Sequence, residues 1–225
     1  MKREILITSD GSTTIHLPDW DEQYHSKHGA IQEAYHVFLR AGLDIVSTSA
    51  KKIEILEIGF GTGLNTFITF LEGRDKKVEI DYVGVEAYPV AAAEVLKLNY
   101  VEELKATADQ DIFDKMHALP WEEKQEISKE FQLTKRKQFF QDITDKEAFD
   151  LIYFDAFGAK NQPELWTEAI FLKMFDAIRK DGVLVTYCAK GSARRAMQAV
   201  GFIVERIPGP PGKREMLRAT KKSAS

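Results

Sequence analysis

Residues 53–65 read IEILEIGFGTGLN. Ile53, Ile55, Leu56 and Ile58 make an apolar strand, Gly59, Gly61 and Gly63 punctuate a turn, and Leu64 opens a helix. Glycines let the chain turn tightly and let a ligand approach the backbone. A helix that starts there points unpaired N–H groups back at the turn. The spacing is G-x-G-x-G, whereas dinucleotide sites carry G-x-G-x-x-G. Such a turn suits a carboxylate-bearing amino-acid moiety better than a pyrophosphate. The plain alternative is a strand-to-helix turn with no ligand. Glu57 and Asn65 flank the three glycines and join them as candidate contacts for a nucleoside ligand.

Outward from this turn, strands and helices alternate. The pattern predicts strands at Ile53–Ile58, Ile80–Val85, Leu133–Phe140, Phe149–Phe154, Gly182–Cys188, Phe202–Ile207 and Glu215–Thr220. Helices are expected from Leu64, over Pro89–Leu98, Glu164–Arg179 and Ala193–Val200. This alternation implies βαβ units, hence an α/β fold with a mostly parallel sheet and helices on both faces. Ahead of it, residues 3–18 read as a β-hairpin turning at Asp10-Gly11. A polar segment follows, then a helix over Ala30–Val46 with Ile31, Ala34, Tyr35, Phe38 and Leu39 at helical spacing. Residues 99–130 break the rhythm, are acidic, and are expected to form a helical insertion over one sheet edge. One domain over residues 1–225 is expected, with residues 1–50 as an N-terminal extension.

In an open parallel sheet, ligands bind beyond the carboxyl ends of the strands. Glu86 ends the second strand some twenty residues past the glycine turn, where an acid can accept hydrogen bonds from ribose hydroxyls. Asp142 follows the third strand and is a candidate adenine contact. Asp155 ends the apolar run Leu151–Phe154 and is expected beside the same crevice. Tyr24 has two readings, closing over a ligand or packing. Phe157 and Trp166 are candidates for stacking on a base, with core packing favoured for Trp166 on its amphipathic helix. His25 and His28 lack a third ligand, so no metal site is expected. Cys188 is the single cysteine, which excludes an intrachain disulfide, and it reads as a buried small hydrophobe.

Composition fits an ordinary globular chain, 44% hydrophobic and 29% charged. No apolar run approaches the ~20 residues of a membrane span. The start, MKREILITSDG, lacks the apolar core of a signal peptide, so a cytoplasmic protein is expected. The net charge of −4 is unevenly spread: from Lys190 onward, nine lysines and arginines face two acids, a local +7. Arg194, Arg195, Lys213 and Arg214 are therefore candidates for docking a polyanion, against the simpler reading of a solvated basic surface.

The stretch GFGTGLN, the run DAF followed by NQPELWT, and the ending GKREML resemble the tRNA (5-methylaminomethyl-2-thiouridine) methyltransferase family. The run D-x-x-Y-x-S at residues 21–26 and the helix bearing Glu33 and Phe38 are also similar. Gly158-Ala159-Lys160 departs from the pattern, in which a proline stands nearer Asp155. The resemblance implies a class I methyltransferase fold, Rossmann-like, with strand order 3-2-1-4-5-7-6 and S-adenosyl-L-methionine as donor. It further implies that the acceptor is the aminomethyl group of wobble uridine 34 in tRNA, presented by the anticodon stem-loop, with Asp155 as the active-site acid. Some members are fused to a flavin-dependent oxidase; here a separate oxidase is expected to supply the substrate. The alternatives are an aminopropyltransferase of the polyamine type and a non-catalytic RNA-binding module on the same scaffold.

Overall fold

A computed structural model describes residues 2–48 and 50–222. The chain opens with β1 (Glu4–Ile7), β2 (Thr13–Leu17) and β3 (Glu22–Gln23), which form a small sheet of their own in the order β1-β2-β3. A continuous helical run follows: α1 (Ala30–Ala34), a π-type stretch (Tyr35–Leu43) and α2 (Asp44–Ser47). Next come β4 (Lys52–Ile58), α3 (Leu64–Lys76), β5 (Glu79–Val85), α4 (Ala92–Val95), α5 (Tyr100–Glu103) and α6 (Gln110–Ala118). The remainder is β6 (Lys124–Ser128), β7 (Phe131–Arg136), β8 (Phe149–Phe154), α7 (Glu168–Ala177), β9 (Ile178–Thr186), α8 (Gly191–Ala199), β10 (Ile203–Pro208) and β11 (Glu215–Thr220).

The main sheet has eight strands in the order β10-β11-β9-β8-β4-β5-β7-β6. Setting aside β6, this is the expected 3-2-1-4-5-7-6 order. The β5, β4, β8 and β9 ladders are parallel, as is β5 with β7, while β11 is antiparallel to both its neighbours. Central strands of such a sheet are covered on both faces and read as near-continuous apolar runs. In β4, Ile53 and Ile55 face one core cluster with Phe38, Phe67 and Phe113; Leu56 and Ile58 face the other with Phe171 and Met174. The long helical run, α3 and α6 thus cover one face, and α7 and α8 the other.

Two expectations change. Residues 99–130 hold short helices only as far as Ala118; β6 then pairs antiparallel with β7 and extends the sheet edge. Lys124–Ser128 buries only Ile127 and leaves the other side chains half-buried or exposed, a pattern an edge strand tolerates. This segment also enters the core, since Phe113 and Met116 are at most 2% exposed. The third strand ends at Arg136, not Phe140, and Arg136 pairs with Asp145 at 2.7 Å as the chain leaves the sheet. Among the described residues no helix is long and apolar enough to cross a membrane.

Candidate active site

Register alone brings three site residues together. Ile58 pairs with Val85 on one side and Phe154 on the other. The next residue of each strand is Gly59, Glu86 and Asp155. Gly59 donates its N–H to the Val85 carbonyl at 3.0 Å, and Asp155 donates its own to the Ile58 carbonyl at 2.9 Å. All three border one cavity of about 1300 Å³ at the carboxyl edge of the sheet.

The turn at Gly59–Gly63 runs at positive φ at all three glycines. A side chain at Gly59 would sit 2.7 Å from the Asp155 carbonyl oxygen, and one at Gly61 would press on the Tyr24 ring at 3.1 Å. The cavity wall here is therefore bare backbone. Glu86 anchors it: Oε2 accepts the Gly61 N–H at 3.1 Å and Oε1 accepts the Tyr88 N–H at 2.9 Å. Burial raises the Glu86 carboxyl above its usual range, opposed by those two amides and by Arg3. Gly63 lies behind the cavity, against His117 and Phe60, and starts α3.

At the Asp155 end, Asn65 Nδ2 donates to Asp155 Oδ2 at 2.9 Å. Burial pushes the Asp155 carboxyl up to about 7, helped by Glu33 and opposed by Asn65 and Lys213. Glu57 does not reach the cavity. It is fully buried beneath the site, accepts the Thr66 hydroxyl at 3.0 Å, and is held up at about 8 chiefly by burial. Asn65 Oδ1 and Glu57 Oε1 are buried acceptors without a hydrogen-bond partner.

Tyr24 and Phe157 both line the cavity and pack edge to face, ring centroids 5.0 Å apart. Burial raises the Tyr24 phenol to about 12. The Tyr24 ring is also flanked by Arg3, 5.8 Å from its centroid, and Arg3 pairs with Glu94 at 2.8 Å. Trp166 is 4% exposed and packs on Phe154 and Phe171; its indole N–H donates to the Phe157 carbonyl at 2.8 Å, so it buttresses the loop from the core. Cys188 is buried, as its strand position suggested.

Several expected contacts lie elsewhere. Asp142 is exposed and absent from the cavity wall; Phe139, Phe140 and Gln141 line it instead. The early end of β7 shifts the following turn, so Phe140 faces inward and the acid outward. Lys213 is no free surface lysine. Its ammonium lies 2.8 Å from Glu33 Oε1 and 3.9 Å from the Tyr187 ring centroid, inside the cavity wall. Arg194 is half-buried, its Nε shielded and without a partner. Arg195 and Arg214 are exposed. Sequence reasoning noted Glu33 only within a family-like helix, with no site role, and left out Tyr187 and Arg3; all three reach the site through the fold. His25, considered only as a metal ligand, also lines the cavity. It bonds Thr14 and Thr62 hydroxyls at 3.3 and 3.4 Å, and burial lowers its imidazole to about 4.

A family described as S-adenosyl-L-methionine-dependent methyltransferase matches residues 109–222. The tRNA 5-methylaminomethyl-2-thiouridine biosynthesis bifunctional protein MnmC of Cupriavidus metallidurans is 28% identical over 95% of this chain and 33% of that protein. The protein of the same name from Burkholderia thailandensis is 29% identical over 95% of this chain and 34% of its own length. The chain thus spans about a third of the curated relatives it matches. Among solved structures, MnmC2 from Aquifex aeolicus superposes with a TM-score of 0.77 at 24% identity, covering 99% of this chain and 72% of that one. Spermidine synthase from Thermotoga maritima superposes at 0.55 with 14% identity, over 97% of this chain and 68% of that one. Both show a shared fold.

The residues present fit S-adenosyl-L-methionine. The glycine turn packs so closely on the Asp155 carbonyl and the Tyr24 ring that a Cβ would collide, which leaves bare backbone at the cavity edge. Glu86 borders the cavity with lone pairs to spare for hydroxyl donors. Asn65 Oδ1 offers an unpaired acceptor. Seven carboxylates line the cavity against Arg3, Lys27 and Lys213, a balance that favours a ligand carrying sulfonium and ammonium charges. From the sheet order, the glycine turn, the strand-end acids and the match over residues 109–222, the chain belongs to the family of S-adenosyl-L-methionine-dependent methyltransferases.

Proposed function

We propose that this chain, acting as one cytoplasmic catalytic domain, N-methylates the 5-aminomethyl group of modified wobble uridine 34 in tRNA. The observation that carries this reading is Asp155. It is a half-buried strand-end carboxylate, held by Asn65 in the wall of the acidic cavity that the glycine turn borders. The names of the similar proteins supply the acceptor. A separate flavin-dependent oxidase would furnish the free amine.

S-adenosyl-L-methionine, when bound, supplies a methyl group open to attack by a nucleophile. Glu86 would take its ribose hydroxyls, and the Gly59–Gly61 backbone with Asn65 its amino-acid end. The acceptor must arrive as a neutral amine, although an alkyl amine in water has a pKa near ~10. Desolvation beside Tyr24 and Phe157 works against the ammonium form, in opposition to the acidic lining. Asp155 accepts an N–H of the amine, orients its lone pair, and stabilises positive charge as it builds on nitrogen. With a carboxyl near 7, Asp155 also stands ready to receive the proton shed afterwards. The uridine must leave its stack to enter, unless the anticodon loop already presents it splayed.

Incubation with labelled S-adenosyl-L-methionine and unfractionated tRNA, followed by nucleoside analysis, tests this. Label is expected in 5-methylaminomethyl-type uridine at position 34. Label in another nucleoside, or transfer from the decarboxylated donor to a polyamine, would replace this reading with the corresponding one.

A further inference from the structure

The Lys213–Glu33 pair is not explained by cofactor binding. Lys213 sits in the turn between β10 and β11, and Glu33 in the first turn of the long helical run. Their ion pair joins parts of the chain 180 residues apart. Each partner is fixed a second time. Glu33 Oε2 accepts the Ser26 N–H at 2.8 Å, and the Lys213 ammonium rests on the Tyr187 ring. Tyr187 in turn donates its hydroxyl to the Ala156 carbonyl at 2.8 Å, one residue from Asp155. A half-buried ion pair costs desolvation that its own attraction barely recovers, so it is a poor device for stability alone. A lysine spent this way is also withdrawn from contact with phosphates.

We propose that Glu33 and Lys213 are positioning residues for Asp155: a pinned pair of opposite charges, clasped on Tyr187, that fixes how readily the acceptor-side carboxyl ionises. The inference rests on the reading of Asp155 given above. The two members act on Asp155 with opposite sign. Glu33, Lys213, Tyr187 and Asp155 line the same cavity, so a Glu33 carboxylate works against a negative Asp155 and the Lys213 ammonium favours it. The other groups felt at Asp155 are Asn65 from α3, Glu57 from the end of β4 and Tyr187 after β9, while Glu22 from β3 lines the same cavity and is felt at Tyr187. None of these forms an ion pair that would cancel the effect of changing Glu33 or Lys213.

The test is the pH dependence of single-turnover methyl transfer to tRNA between pH 5 and 9, with saturating S-adenosyl-L-methionine. Activity requiring ionised Asp155 rises with pH through its pKa. Removing the positive charge, Lys213→Met, is expected to move that acidic limb up by about 0.5 pH unit or more. Removing the negative charge, Glu33→Gln, is expected to move it down, and the double variant to return it towards the parental position. Lys213→Arg keeps the charge and is expected to keep the parental midpoint. If Glu33→Gln does not fold, Lys213→Met and Lys213→Arg decide alone. Shifts of the same sign, or none, overturn the proposal, because loss of packing has no reason to act in opposite directions. So does Lys213→Met that leaves the midpoint alone but flattens the salt dependence of tRNA affinity, which would restore Lys213 as a phosphate contact. Asp155→Asn run in parallel separates the two readings: if it keeps both the limb and the rate, Asp155 itself is not the titrating group.

Discussion

The cavity wall at Gly59–Gly63 and Glu86 is made of backbone and one carboxylate from two adjacent strands. The opposite wall, around Asp155, is made of side chains drawn from the N-terminal extension, the first helix, the loop after β8 and the β10–β11 turn. The first wall is local: one turn and the next strand's end build it, and Glu86 holds it in shape. The second is assembled at long range, with Glu33, Lys213, Tyr24 and Phe157 meeting only in the folded chain. The difference teaches how such an enzyme divides its labour. On the function proposed above, the backbone wall would seat the cofactor, and the side-chain wall, which substitution can alter piece by piece, would meet the acceptor.

Four substitutions, at three places, probe that division. The largest effect belongs to the side-chain wall. Asp155→Asn keeps shape and removes the charge, so the single-turnover methyl-transfer rate should fall by about 10²-fold or more, with cofactor affinity little changed. A near-normal rate would reduce Asp155 to a loop residue. An intermediate effect belongs to the backbone wall. Glu86→Ala should weaken S-adenosyl-L-methionine binding by about 1.5–3 kcal/mol, measured by calorimetry, while the pH limb of the chemical step stays put. Unchanged affinity would move the ribose site elsewhere and blur the two walls. The smallest effect lies outside both. Arg195→Gln and Arg214→Gln remove exposed charges from the basic region. If these meet tRNA phosphates, each should lower the slope of log affinity against log salt by about 0.7–0.9. An unaltered slope would make that surface merely solvated.

The same contrast explains what could be read from the sequence. The glycine turn, Glu86 and Asp155 were legible because strand order and register follow from apolar runs, and the residue after each run falls at the sheet's carboxyl edge. The flanking helices were legible in kind but not in extent: α4 is four residues long where Pro89–Leu98 was expected, and Ile178 already belongs to β9. β6 was missed because a polar edge strand has no apolar signature. Asp142 was misplaced by the position of one strand end. That Lys213 lies in the cavity wall could not be read, because charge counting places lysines in water by default. Its partner Glu33 stands 180 residues away, and nothing in either local sequence announces the other. Glu57 could be named as part of the turn, but that it lies sealed beneath the cavity depends on the alternation of β4 between two cores.

The bridge from Glu86 to the Gly61 amide has a consequence for affinity. A glycine-rich turn is the segment with most conformational entropy to lose when a ligand orders it. Here one carboxylate, tied also to the Tyr88 amide, holds the Gly61 amide of that turn in place. To that extent entropy is surrendered during folding, and a cofactor seated there, as proposed above, would spend less of its binding energy on ordering the turn. Fold and affinity are then thermodynamically linked. Whatever loosens the end of β5 weakens the ligand, and the bound ligand stiffens the end of β5 by the same free energy.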